Sequence, residues 1–307
     1  MKNDNKNLFE WFLVITTFIV LYIAAYESYM QSHLPPYSIL NLLHKFRILN
    51  NYQIIYEPSK GIWHAVGWTG SAMMVIMMFY SIRKRFTMFA YLGSLRHWLS
   101  AHMFLGIMGP ILVTFHTTFK LGGIIATSFW CMIVTMIFGI LGRYIYIQIP
   151  RNLSGAELEV KDINAIVEAL NKSLGKYLSE TNISVLLKMK SKEEEINPVH
   201  EEGESLNLIS SLLYMIKSDI INIYNIYYIR GLLKKTVFRL NENERNEVVS
   251  ILWKKASMIR RINFLSTSHR LLHYWHVFHV PLAIVMFIIM FLHVIVYFLF
   301  TAGSHAV

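Results

Sequence analysis

The chain has 307 residues, of which 54% are hydrophobic and only 16% are charged, and its formal net charge is +10. Soluble domains carry about 25% charged residues, so this composition excludes a water-soluble enzyme, a coiled coil and a disordered tail. The single cysteine, Cys131, excludes a disulfide framework, a cysteine-ligated iron–sulfur cluster and a covalent c-type haem site. We therefore expect an integral membrane protein.

Five apolar segments approach the length of about 20 residues that a membrane-spanning helix needs. In chain order they cover residues 8–26, 61–82, 98–119, 121–142 and 271–300. The first has a long apolar stretch and no clean small-x-small cleavage site after it, which favours a signal anchor over a cleaved signal peptide. The predicted fold is an all-α integral membrane bundle of about five transmembrane helices, in contact with membrane lipid.

The positive charges predict the orientation, because short cytoplasmic loops are enriched in Lys and Arg. With the N-terminus inside, the inner segments hold 25 of the 29 Lys and Arg residues. The short loop with Arg83, Lys84, Arg85 and Arg96 gives the same answer. We expect a multi-pass protein of the inner (cytoplasmic) membrane with its N-terminus inside and its C-terminus outside. The charge then reflects topology and not nucleic-acid binding.

Three regions follow from the distribution of charge. Residues 1–149 are predicted to hold spans one to four with an outer loop at 27–60, residues 150–270 a helical cytoplasmic insert, and residues 271–307 the fifth span and a short outer tail. The insert contains 15 of the 19 acidic residues, and its apolar residues recur at helical spacing. A sixth span at 206–233 is the alternative, although Lys217 and Asp219 interrupt it. The insert has no nucleotide-binding motif.

Histidines stand out in two of the spans. The chain has 13; the third span or its start holds His97, His102 and His116, and the fifth or its start holds His269, His273, His276, His279 and His293. Ionisable side chains inside a membrane are costly, and they point to a function by default.

The spacing of two histidine pairs is the same. His102 and His116 are 14 residues apart, and so are His279 and His293. On an α-helix, 14 residues turn by about 1400°, which is about 40° short of four turns, and they rise by about 21 Å. Each pair therefore lies on one helix face. With both helices running outward, His102 and His279 share the inner level and His116 and His293 the outer level.

Two helices that each present an imidazole at two matched depths predict four axial ligands for two non-covalent haem b groups. Neutral imidazole is a good ligand for haem iron, and bundle interiors are where such cofactors bind. His276 lies one turn before His279 and is the alternative ligand, at the expense of the 14-residue match. Gly106, Gly109 and Pro110 are expected to leave room for a planar macrocycle.

Further polar residues are predicted near the inner level. His273, His276 and His97 are expected to meet haem propionates, a quinone or water. Arg96, Arg143 and Arg270 are candidate partners of the propionates, although the ordinary positive-inside signal explains them equally. His64 and Trp68 in span two are interpreted as an interfacial aromatic anchor, with the border of a quinol pocket as the alternative.

The segments RHWLSAH…GP…FHTTFK, SFWCMIVTMIFGILGRYIYIQIPR and HYWHVFHVPLAIVMFIIMFLH resemble the membrane domain of the ferric reductase and NADPH oxidase superfamily. They also resemble a bacterial family of ferric-reductase-like or cytochrome b-like electron-transfer proteins. The resemblance covers 61–151 and 271–300 and implies that His102, His116, His279 and His293 ligate haem iron. Departures from the family are the insert and an end at Val307 without a C-terminal FAD/NAD(P)H domain. A separate flavin, iron–sulfur or multihaem subunit is therefore expected as the redox partner.

The leading hypothesis is a b-type di-haem cytochrome, the electron-transfer subunit of an oxidoreductase complex. It would carry electrons across the membrane between a quinol pool or redox partner on one side and a partner on the other. A membrane di-iron oxygenase or desaturase is suggested by HYWHVFH, but it gives the deep His116 and His293 no role. A transporter or channel is the third class, although spans two to five contain no Asp or Glu for a carboxylate relay.

Overall fold

The computed structural model describes residues 4–48, 56–150, 158–177, 208–236 and 241–304. The α-helices among them are α1 (Asp4–His33), α2 (Ile39–Lys45), α3 (Gly61–Met77), α4 (Phe79–Arg85), α5 (Leu95–His116), α6 (Gly123–Gln148), α7 (Val160–Leu174), α8 (Leu208–Thr236), α9 (Glu242–Asn263) and α10 (Leu265–Ser304). Short 3-10 helices cover Pro35–Tyr37 and Thr87–Leu92. These parts of the chain contain no strand, which confirms the all-α prediction.

Five helical segments are long and apolar enough to cross a membrane: Glu10–His33, Gly61–Arg85, His97–His116, Gly123–Gln148 and Leu265–Phe300. They coincide with the five predicted spans and confirm a multi-pass membrane protein. Helices are suited to the lipid interior of a membrane because each satisfies its backbone hydrogen bonds internally. Within the described ranges, α8, which covers the alternative sixth span, does not meet the same criteria.

The chain divides into two compact units. The first comprises Met1–Leu141 and Val277–Val307, and the second comprises Gly142–His276. The boundary of the second unit differs from the predicted insert at 150–270, because the ends of α6 and α10 are grouped with it. The location of the insert on the cytoplasmic side stays a prediction.

Helices α3 and α5 of the first unit cross at a pair of glycines. A Cβ on Gly70 would lie 2.9 Å from the carbonyl oxygen of Gly109, and a Cβ on Gly109 would lie 2.8 Å from Cγ of Met74. Small residues let the backbones of membrane helices approach closely. The sequence expectation that Gly109 makes room for a macrocycle is thus replaced by a different role, because this glycine faces α3.

The core of the first unit is rich in methionine. Met74, Met132, Met286, Phe287 and Met290 are buried together and join α3, α6 and α10. The Ser128 hydroxyl of α6 also donates to the carbonyl of Met286 at 3.1 Å. Flexible thioethers fill irregular spaces between helices well.

The contacts of α3 define the relative direction of its neighbours. Its early residue Trp68 packs against Phe298 near the end of α10, and its later residue Met74 shares the core with Met286. The start of α3 likewise meets the end of α5, where Nδ1 of His116 lies 2.9 Å from the carbonyl oxygen of Trp63. Helices α5 and α10 are therefore both antiparallel to α3. They run in the same direction, as predicted for the two spans that carry the histidine pairs.

The segment after the first span is tied down by a buried carboxylate. Glu27 in α1 accepts hydrogen bonds from the hydroxyl of Ser38 (2.7 Å) and from the backbone N–H groups of Ile39 (2.7 Å) and Leu40 (3.2 Å). These donors belong to the start of α2, whose first N–H groups have no partner within the helix. The predicted loop 27–60 therefore begins with the last turns of α1, and α2 follows.

The second unit has its own apolar and polar cores. Leu174, Leu233, Val248 and Ile251 join α7, α8 and α9 in one apolar cluster. Asp219 of α8 accepts hydrogen bonds from the Tyr144 hydroxyl and from Gln148, and it forms an ion pair with Arg260 of α9. Asp219, which interrupts the apolar pattern of α8, thus faces partners within its own unit.

Candidate functional site

His102 is held on α5 by a backbone carbonyl of α3. Its Nδ1 lies 3.0 Å from the carbonyl oxygen of Met77, and the ring is half-buried. A carbonyl oxygen only accepts hydrogen bonds, so Nδ1 must carry the proton. In the neutral ring the lone pair is then on Nε2, which is the form that a metal ligand requires.

The carbonyl of Met77 is available because α3 ends there. The backbone N–H of Ser81 donates to Met78 at 3.0 Å instead of to Met77. The last carbonyls of a helix lack partners within it and need other donors. The break between α3 and α4 therefore supplies the acceptor for His102, and Tyr80 places its ring 5.0 Å from the His102 ring just beyond the break.

His116 is fixed in the same way. Its Nδ1 donates to the carbonyl of Trp63 at 2.9 Å. A Cβ on Gly67 would lie 2.4 Å from that nitrogen, so only glycine leaves space for the imidazole at this position. His116 therefore also carries its proton on Nδ1 and leaves Nε2 as the lone-pair nitrogen.

The two hydrogen bonds between a histidine and a carbonyl recur at the same spacing on both helices. Trp63 and Met77 are separated by the same 14 residues as His102 and His116, but in the opposite direction along the chain. Because α3 and α5 are antiparallel, one packing register satisfies both bonds. The helix pair thus presents two equivalent imidazoles about 21 Å apart along the axis.

A third and a fourth histidine join this arrangement at the His116 end. His64 of α3 lies beside His116, and His293 of α10 is one helical turn before Tyr297, whose ring contacts His64. The His64 ring is 6.4 Å from the His116 ring and 4.9 Å from the ring of Tyr297 on α10. His64, His116 and His293 form what we call the three-histidine cluster. The pairing of His116 with His293 at one haem stays a prediction.

At the other end, His102 and His279 each have a described neighbour on another helix. His102 faces α3 through Met77, and His279 of α10 is half-buried beside α6, where a Cβ on Gly139 would be 3.9 Å from its Cε1 atom. Their assignment as a pair stays a prediction.

The remaining predicted residues have local neighbours. His97 is exposed, and its Nδ1 lies 2.9 Å from the hydroxyl of Ser94 at the start of α5. His273 and His276 are exposed residues of the second unit, with rings near Tyr274 and Trp275 respectively. Their proposed roles around a haem or quinone stay predictions.

Three arginines were predicted as partners of haem propionates. The side chain of Arg96 lies outside the residues that the structure describes. Arg143 is half-buried and Arg270 is exposed, both within the second unit. Their pairing with propionates therefore stays a prediction.

Sequence reasoning missed three contributors at the His116 end. Trp63 contributes its carbonyl to His116, and its indole N–H donates to Gln31 of α1 at 2.9 Å. Gly67 provides the space for the ring, and His64 belongs to the three-histidine cluster. A detectable signal existed in the glycines at 67 and 70, because small residues at helical spacing mark a close approach of helices.

The donor chemistry fits haem b. No group of three or more His, Cys, Asp or Glu residues in the described ranges could hold a metal ion. The available donors are individual imidazoles, and those of His102 and His116 are oriented through their Nδ1 atoms. Such a set suits iron whose other four ligands come from a macrocycle, so that the protein adds only axial nitrogens. His102, His116, His279 and His293 are the residues that would hold it.

No protein-family model, curated protein or solved structure matches the chain.

Proposed function

We propose that this chain is a b-type di-haem cytochrome, the subunit that carries electrons across the membrane in an oxidoreductase complex. The observation that supports this most is the pair of hydrogen bonds from His102 and His116 to backbone carbonyls of α3. Both bonds leave Nε2 as the ligand atom, at two depths of one helix face. A structural role would not require the same nitrogen to be left available at both depths.

The chain's own residues orient the ligands and exclude water. The carbonyls of Met77 and Trp63 fix the ring tautomer and increase the basicity of Nε2, as partners of metal-bound histidines generally do. The methionine core at Met74 and Met286 lies between the two depths and keeps that region apolar. When bound, haem supplies one-electron oxidation and reduction at its iron.

The redox partners follow from the sequence. The lack of a nucleotide-binding motif supports a separate flavin, iron–sulfur or multihaem subunit as one partner, with a quinone as a further candidate. The distribution of Lys and Arg supports an N-terminus inside and a C-terminus outside, in the inner membrane. On that orientation the His102 end faces the cytoplasm.

Haem quantitation of the purified protein tests the proposal. We expect two haems per chain by pyridine haemochrome analysis, sharp b-type bands on reduction, and complete extraction by acid–acetone. His102→Ala should lose one of the two haems. His97→Ala changes an exposed histidine five residues before His102 on the same helix and should keep both haems, as should His276→Ala. A wild-type protein without haem would overturn the proposal.

A further inference from the structure

The two ends of the α3–α5 pair differ in one respect. At the His102 end the nearest aromatic partner from the α3–α4 side is Tyr80, a phenol. At the His116 end that side contributes an imidazole, His64, on the same helix that supplies the Trp63 carbonyl. The His116 end therefore has one more nitrogen donor than two axial positions require.

His64 differs from His116 in how it is held. Its ring contacts Trp68, Tyr297 and His116, and among the described residues it makes no side-chain hydrogen bond. The ring is half-buried. The His116 ring, by contrast, is confined between the Trp63 carbonyl and Gly67.

The position of His64 suits a ligand opposite α10. Tyr297, whose ring lies 4.9 Å from His64, is one helical turn after His293. His293 is therefore one turn from the residue that His64 contacts. The His64 and His116 rings are 6.4 Å apart, so the exchange of one donor for the other requires His64 to rotate about its side-chain bonds into the position that His116 leaves.

We infer that His64 is an alternative axial ligand, able to take the place of His116 opposite His293. This inference rests on the proposed function, since it concerns one of its two haems. It predicts an asymmetry: the haem at the His116 end has two interchangeable ligands on the α3–α5 side, and the haem at the His102 end has one.

The test is haem stoichiometry and electron paramagnetic resonance of four purified variants: His116→Ala, His64→Ala, the double variant and His102→Ala. We expect His116→Ala to retain close to two haems, with altered g-values for one because a different ring is bound. His64→Ala should retain both haems with unaltered g-values. The double variant and His102→Ala should each retain one haem.

The remaining haem serves as an internal control for folding. A double variant that keeps the haem at the His102 end is folded, and added imidazole should restore its second haem while leaving the stoichiometry of His116→Ala unchanged. One haem or none in His116→Ala, with two in the wild type, would overturn the inference alone. A wild type without haem would instead overturn the proposed function together with it.

Discussion

At the scale of single residues, backbone carbonyls orient both histidines of α5. His102 and His116 donate to Met77 and Trp63 through main-chain oxygens, which no side-chain substitution at those two positions removes. The positions that are sensitive to substitution are the ones that give the rings space. Gly67 is the clearest of these, because its missing side chain is what admits the His116 ring.

Gly67→Ala should therefore displace His116. The added Cβ would lie 2.4 Å from Nδ1, and neither the ring nor the Trp63 carbonyl can move without breaking their hydrogen bond. Overpacking of this kind costs about 1–3 kcal/mol. We expect a lower thermal unfolding midpoint in detergent and altered g-values of the haem at the His116 end alone, where His64 would take the axial position. Gly122→Ala, which adds a methyl group in open space, is the matched control. Equal behaviour of the two variants would contradict this account.

At the scale of helices, one crossing sets the register of the whole α3–α5 pair. Gly70 and Gly109 meet near its middle, roughly halfway between the two histidine–carbonyl bonds. Both bonds depend on the same relative position of the two helices. A change at the crossing should therefore affect both ends at once, whereas a change at Gly67 affects one.

Gly109→Val tests this dependence. A Cβ at Gly109 would lie 2.8 Å from Met74 and 3.0 Å from the Gly70 carbonyl, so the helices must separate. We expect both haems to be lost or weakened together, as measured by haem content against protein. Gly139→Ala is the control, because its Cβ would make an ordinary 3.9 Å contact with His279. Loss of only one haem in Gly109→Val would show that the two ends are positioned independently.

The same helices show what the sequence could predict. Hydropathy located all five spans, because burial in lipid imposes a long apolar run on each helix. The 14-residue interval located the faces of His102 and His116, because helical periodicity depends only on the chain itself. The sequence could not predict that the carbonyls of Trp63 and Met77 accept these hydrogen bonds, because this depends on the packing register of two helices. The contact of His64 with Tyr297 could not be predicted for the same reason, because the two residues are more than 200 positions apart in the chain.

At the scale of the whole molecule, the distribution of Lys and Arg predicts the orientation in the membrane, with the N-terminus inside. The loop before α5 holds Ser94 and the loop after it holds Gly122, at opposite ends of that span. In a Cys131→Ser background, Ser94→Cys should react with a membrane-impermeant maleimide only after the inner face is exposed. Gly122→Cys should react in intact cells or spheroplasts. The reverse pattern would mean that the N-terminus is outside.

The methionine core has a consequence for energy conversion. It separates the two histidine depths by about 21 Å of apolar protein, within a hydrocarbon layer that is about 30 Å thick. Moving one full charge across a membrane is worth about 2.3 kcal/mol per 100 mV. On the proposed function, an electron that passes from one end to the other crosses about two thirds of the voltage and does electrical work of about 1.6 kcal/mol per 100 mV.

The membrane potential should therefore bias which end of the protein is reduced. In proteoliposomes, a potassium diffusion potential of about 100 mV should change the ratio of the two reduced haems about fifteenfold, since each 1.36 kcal/mol is a factor of ten. Vesicles with valinomycin and equal potassium on both sides are the control. A ratio that does not respond to voltage would place both redox centres at one depth. A response of the expected sign and size would make this protein a coupling element between a redox reaction and the charge on the membrane.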